Sequence, residues 1–126
     1  SNVESEKYLS NVYSVVFNRP ADESGYHFHL GNLKGKKVSI REFLLNMLTE
    51  KEFIETYKTT ESKIEALYSG IVGRESDAQG KDFWVSEYKK LLSVYGNEAS
   101  TLKAIADRMV NEKELKELAD KMGILY

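Results

Sequence analysis

Residues 64–84 read IEALYSGIVGRESDAQGKDFW, and they decide the fold because the chain has written them before. Residues 12–29 align with 67–84 at a constant offset of 55, with six identities in 18: Tyr13, Ser14, Arg19, Asp22, Gly25 and Phe28 against Tyr68, Ser69, Arg74, Asp77, Gly80 and Phe83. Residues 40–57 align with 102–119 at an offset of 62, with five identities in 18, including a whole Glu-Lys-Glu. Repetition at fixed spacing marks a structural unit used more than once. We place the first unit at residues 3–60 and the second at 61–126. The seven-residue difference between the offsets falls around LLSVYGNEAS, residues 91–100.

The apolar residues in both units have helical spacing. Leu9, Val12, Tyr13, Val16 and Phe17 form one stripe, and Ile64, Leu67, Tyr68, Ile71 and Val72 form its counterpart. A second helix carries Phe28, Leu30 and Leu33 in the first unit, with Gly31 and Gly35 weakening it. In the second unit it carries Phe83, Trp84, Tyr88, Leu91 and Leu92. A third carries Ile40, Phe43, Leu44, Met47 and Leu48, matched by Leu102, Ile105, Ala106, Met109 and Val110. TEKEF (49–53) and NEKEL (111–115) open a short fourth helix. No alternating strand pattern survives. The expected fold is all-α: two tandem repeats of about four short helices each, packed as one compact domain.

Helix boundaries follow from local chemistry. Asn18 and Gly73 suit the left-handed residue that ends a helix. Pro20 cannot continue one. Asp22 and Asp77 are placed to accept the orphan N–H groups of the next helix. Gly25 and Gly80 give up helix propensity for what we expect to be close approach of another backbone or ring. Ser62 with Glu65, Ser39 with Glu42, Thr49 with Glu52, and Asn111 with Glu114 read as N-cap signatures. Gly123 with Ile124 reads as a C-cap.

The chain has 126 residues, 41% of them hydrophobic and 30% charged, with a net charge of −2 and a pI near 5.8. That balance argues against a nucleic-acid binder, which would show a basic face. Cysteine is absent, which excludes disulfides and thiolate chemistry. No apolar run reaches the ~18 residues of a membrane span, so no direct membrane insertion is expected, and no signal peptide is visible. Ser1-Asn2 reads as an expression scar on an excised domain.

The corner residues resemble the hallmark of the bacterial domain of unknown function 4214 family: Tyr, Gly-Arg, two residues and Asp, then Gly and an aromatic-Trp pair. Tyr68, Gly73-Arg74, Asp77, Gly80 and Phe83-Trp84 supply it in the second unit. Tyr13, Arg19-Pro20, Asp22 and Gly25 supply it in the first, which departs at Asn18 and His29. The resemblance covers nearly the whole chain as two copies. It implies an accessory module of bacterial surface or secreted proteins and supplies no catalytic residue. A weaker likeness, in the Arg-Pro, Asp and Gly cadence, is to phycobilisome linker domains.

Several side chains invite a binding role, each with a structural alternative. Arg74 with Asp77, like Arg19 with Asp22, suits an anionic or polyhydroxylated ligand; the alternative is that each Arg clamps helix-end carbonyls and its own Asp. Trp84, Tyr88 and Tyr95 suit a sugar-stacking platform, though aromatics at helical spacing usually serve the core. Tyr95, Asn97 and Ser100 lie in the insertion SVYGNEAS, residues 93–100, read as a loop the repeat does not need and hence the place for ligand contact. His27 and His29 point apart on a helix and make no zinc pair; His29 takes the place of Trp84. Glu50, Glu52 and Glu55 read as solvated charge. No cofactor, metal site or catalytic constellation is expected. The functional expectation is a non-catalytic binding or adhesion module, possibly for glycans, with a glycan or protein partner. The alternatives are a scaffold making protein contacts or an accessory domain of a glycan-processing enzyme.

Overall fold

The computed structural model describes residues 2–18 and 22–126, together with all but the Asn2 side chain. Arg19 and Pro20 fall outside the described residues, so the corner of the first copy is described only from Asp22 onward. Eight helices run in order: α1 (Asn2–Phe17), α2 (Glu23–Lys34), α3 (Ile40–Leu48), α4 (Lys51–Thr56), α5 (Thr60–Val72), α6 (Ala78–Tyr95), α7 (Glu98–Val110) and α8 (Lys113–Met122). The fold is all-α among the described residues, four helices to each copy.

The stripes read from the sequence form the core. Leu9, Val12, Tyr13 and Val16 of α1 are buried against Ile64, Leu67, Ile71 and Val72 of α5. Ile40, Phe43, Leu44 and Leu48 of α3 are buried against Leu102, Ile105, Ala106, Met109 and Val110 of α7. Equivalent helices therefore meet across the junction, and the two copies share one core. Each fully buried large aliphatic side chain contributes about 1.5–3 kcal/mol of transfer free energy. Gly70 permits close packing between the helices: a Cβ there would stand 3.4 Å from Val15 and 3.3 Å from Leu48.

The described residues on either side of each corner take the caps that the sequence predicts. Asn18 (φ 51°) and Gly73 (φ 76°) take the left-handed conformation after α1 and α5. The Asp22 carboxylate accepts from the Gly25 N–H at 2.8 Å, and Asp77 from the Gly80 N–H at 2.6 Å. The expected reason for the two glycines needs correcting. A Cβ at Gly25 would meet the Asp22 carboxylate at 3.1 Å, and one at Gly80 would meet Asp77 at 3.1 Å. The capping carboxylate itself occupies the space, with the Tyr13 hydroxyl 3.4 Å away in the first copy.

Other caps differ from expectation. α5 starts earlier, at a reciprocal box between Thr59 and Ser62, which leaves Glu65 to bind the Ser76 N–H and hydroxyl. The Ser39 hydroxyl caps α3 through the Glu42 N–H. Thr49 and Asn111 cap nothing downstream. The Thr49 hydroxyl donates back to the Leu45 carbonyl and the Asn111 amide to the Asp107 carbonyl, so Glu50 and Glu112 become the N-cap residues of α4 and α8. Gly123 (φ 71°) ends α8 as predicted, with the Ile124 N–H donating to Ala119.

The insertion is helix rather than loop. Ser93–Tyr95 is the last turn of α6 and Glu98–Ser100 the first turn of α7, joined through Gly96 and Asn97 alone. Gly96 takes φ 76°, and the Asn97 side chain accepts from the Ser100 N–H at 2.8 Å. A left-handed cap followed at once by a strong N-cap leaves no loop between the helices.

Candidate binding cleft at the second corner

Arg74 leaves α5 at the left-handed Gly73 and does not turn toward its own Asp. Its Nε and Nη2 donate to the two carboxylate oxygens of Glu114 at 2.9 and 2.8 Å, and Nη1 donates to the Glu75 carbonyl at 3.0 Å. The expected clamp on Asp77 is thus a clamp on α8. Two parallel N–H···O bonds fix both position and angle of the carboxylate. The guanidinium also lies 5.3 Å from the centre of the Tyr68 ring. Burial foremost, and then the Glu114 charge, push the Tyr68 hydroxyl above its ordinary pKa, while Arg74 opposes them. The bond to Glu114 raises the Arg74 pKa, against a smaller lowering effect of burial.

Glu114, held by Arg74, is among the residues that line a half-open cleft of about 330 Å³. Its lining comes from Tyr68, Ile71 and Val72 of α5, Phe83 and Trp84 of α6, Met109 of α7, and Glu112, Lys113 and Glu114 at the start of α8. The volume lies at the lower end of small-ligand sites. Trp84 is 5% exposed and belongs to the core, whereas Phe83 is 49% exposed. One residue further along a helix turns a side chain by about 100°. Trp84, Tyr88 and the Leu91–Leu92 step share the inward direction, and Phe83 stands outside it. The Arg108 guanidinium sits over the Trp84 ring, 5.4 Å from its centre, and bonds Glu87 at 3.2 Å.

The predicted binding residues do not converge. Trp84 lines the cleft, Arg74 reaches it only through its bond to Glu114, and Asp77 is spent as a helix cap. Tyr88 is buried, its pKa raised by burial before the Glu98 charge, with a bond from Thr60 opposing. It is core, not platform. Tyr95 is 49% exposed at the far end of α6. It lines a shallow depression with Leu45, Ser100, Lys103, Ala104 and Asp107, and Asn97 is absent from that lining because its amide is engaged in the cap. In the first copy, His29 occupies the place of Trp84 and touches Tyr13 (6.0 Å between ring centres), Phe28 and Phe43. Burial lowers its pKa against a smaller raising effect of Asp22. His27 is exposed and 4.0 Å from Glu23. Among the described residues no group of three His, Cys, Asp or Glu could hold a metal ion, and no helix is long and apolar enough to cross a membrane.

Sequence reasoning missed Tyr68, Phe83, Glu112 and Glu114 as cleft residues. The repeated Glu-Lys-Glu was the available signal, since a charged triplet retained by both copies asks for a partner elsewhere in the repeat. The family model described as Domain of unknown function (DUF4214) matches the chain twice, over residues 1–57 and 45–118. No match was found among curated proteins or solved structures.

Proposed function

From the premise that the chain belongs to the DUF4214 family, twice over, we propose that it is a non-catalytic binding module of a larger bacterial cell-surface or secreted protein, and that the cleft beside Phe83 takes a sugar ring. The observation that carries the reading is a half-open cleft lined both by a half-exposed aromatic ring and by carboxylates. A sugar presents C–H groups on one face and hydroxyls at its edge. The Phe83 ring suits the first. The Glu112 side chain, which makes no cap bond to α8, suits the second as an acceptor, and Lys113 adds a donor. The non-catalytic reading rests on what the nearby acids already do. Glu114 is held by Arg74, Glu65 by Ser76 and Asp77 by the Gly80 N–H, so each is committed to holding the corner.

The test is a glycan array on the purified domain, repeated with Phe83→Ala and Glu112→Gln and paired with melting curves. The reading expects a glycan retained by the wild type and released by both variants, with melting unchanged. Retention by both variants, or no glycan retained by the wild type, overturns it. One observation favours a second reading, a scaffold contacting proteins through helix faces. Phe28 is 64% exposed at the position equivalent to Phe83, so the first copy also presents an aromatic ring.

A further inference from the structure

Three aromatic side chains, Tyr68, Phe83 and Trp84, line the cleft of the second copy. Two of these rings already carry a cation. The Arg74 guanidinium lies 5.3 Å from the centre of the Tyr68 ring, and that of Arg108 lies 5.4 Å from the centre of the Trp84 ring. Phe83 carries none among the described residues, and its ring is half-exposed. The face of an aromatic ring is the negative side of its quadrupole and attracts positive charge.

The acids of the cleft divide in the same way. Both carboxylate oxygens of Glu114 take bonds from Arg74. Lys113, the base in the lining, stands 3.5 Å from Glu117, one turn along α8. The Glu112 side chain makes no cap bond to α8 and no ion pair among the described residues. The cleft therefore holds one ring without a cation and one carboxylate without a base. A ligand carboxylate would meet Glu112 as a like charge, which is costly at a binding surface. A hydroxyl can donate to Glu112 but leaves its charge in place. An ammonium donates to the carboxylate and neutralises it. The C–H groups beside an ammonium are also more positive than those beside a hydroxyl, so they sit better on the Phe83 face.

We propose, resting on the sugar reading above, that the sugar this cleft takes is an amino sugar with its amine free and protonated. The ammonium meets Glu112, and the adjoining C–H face of the sugar lies on Phe83.

Calorimetric titration with three short β-1,4-linked oligosaccharides tests this. They share the glucose backbone and differ at C2 alone, which carries a free amine, an acetamide or a hydroxyl. In mildly acidic buffer the amine is protonated and the carboxylates remain ionised. The free-amine oligomer binds at least about tenfold more tightly than either of the others, the worth of one charge-assisted bond. Glu112→Gln brings it down to their level, and Phe83→Ala weakens all three. Glu61→Gln, exposed at the other end of α5, leaves every affinity unchanged. Equal affinity for the three, or a preference that survives Glu112→Gln, overturns the proposal while the sugar reading stands. So does an equal loss with Glu61→Gln, which would mark general attraction of a cation to an acidic chain. Failure of all three to bind overturns it too. The sugar reading then stands or falls on the glycan array, where a neutral glycan released by Phe83→Ala would keep it.

Discussion

The two copies share the caps on either side of their corners, Asn18 with Gly73 and Asp22 with Asp77, and differ in the helices that follow. In the second, α6 runs 18 residues and seats Trp84 and Tyr88 in the core. In the first, α2 runs 12 residues and places only Leu33 there. The extra length of α6 and α7 extends their mutual packing, while the cleft aromatics Phe83 and Trp84 stand in the part of α6 that the two copies share. The first copy replaces the indole by His29, leaves Gly31 on the surface and presents Phe28 to solvent. One copy has thus specialised toward core and pocket, the other toward an outward face. A repeat sets the turn chemistry, while the helices between turns remain free to diverge.

Removing Trp84 attacks the difference most directly. Trp84→Ala leaves a cavity under the cleft and should cost about 3–5 kcal/mol, read from denaturant midpoints. A loss no larger than that of His29→Ala would dissolve the contrast between the copies. Asn97→Ala removes the cap that turns the insertion into helix and should cost about 1 kcal/mol, with glycan retention unchanged. A selective loss of binding would return residues 93–100 to the site. Arg74→Ala breaks the bidentate bond to Glu114, but both side chains are substantially exposed, so the expected cost is about 0.5–1 kcal/mol, seen as a small fall in melting temperature. Glu114→Gln should reproduce most of it.

The smallest effect is a pH slope. Burial holds the folded His29 below its ordinary pKa of 6.5, so the unfolded chain takes up the proton first. Stability is then greatest above that ordinary value and falls as pH drops from 6.5 toward the lowered folded value, below which the slope ends. His29→Phe should flatten this part of the stability curve, measured by urea midpoints across acid pH. An unchanged slope would assign it to other groups.

The core was legible in the sequence because helical periodicity reports burial: the Leu9–Val16 and Leu102–Val110 stripes lie where their spacing puts them. The left-handed Asn18 and Gly73 and the capping Asp22 and Asp77 were legible because each answers a local steric or hydrogen-bonding need. The cleft was not. Arg74 reaches Glu114 across 40 residues, and nothing local distinguishes that partner from Asp77, three residues away. Phe83 and Trp84 are neighbours of similar hydropathy, and only the packing of α6 decides which faces inward. Residues 93–100 misled for a related reason. Gly and Asn suggest a turn, and they also suffice to end one helix and begin the next within two residues.

The segment following α8 has a bearing on the order in which the molecule assembles. The Leu125 carbonyl accepts from the Ile40 N–H at 2.7 Å, and the Tyr126 carbonyl accepts from Arg41 Nε at 3.1 Å. The Arg41 guanidinium lies 4.0 Å from the centre of the Tyr126 ring. The first turn of α3 is thereby completed by residues that leave the ribosome 85 positions later. Contacts of such separation carry a large loop-closure cost and form late. Although synthesised first, the first copy is complete only once the last two residues of the second have docked, and without them the start of α3 has the Ser39 hydroxyl to answer its N–H groups.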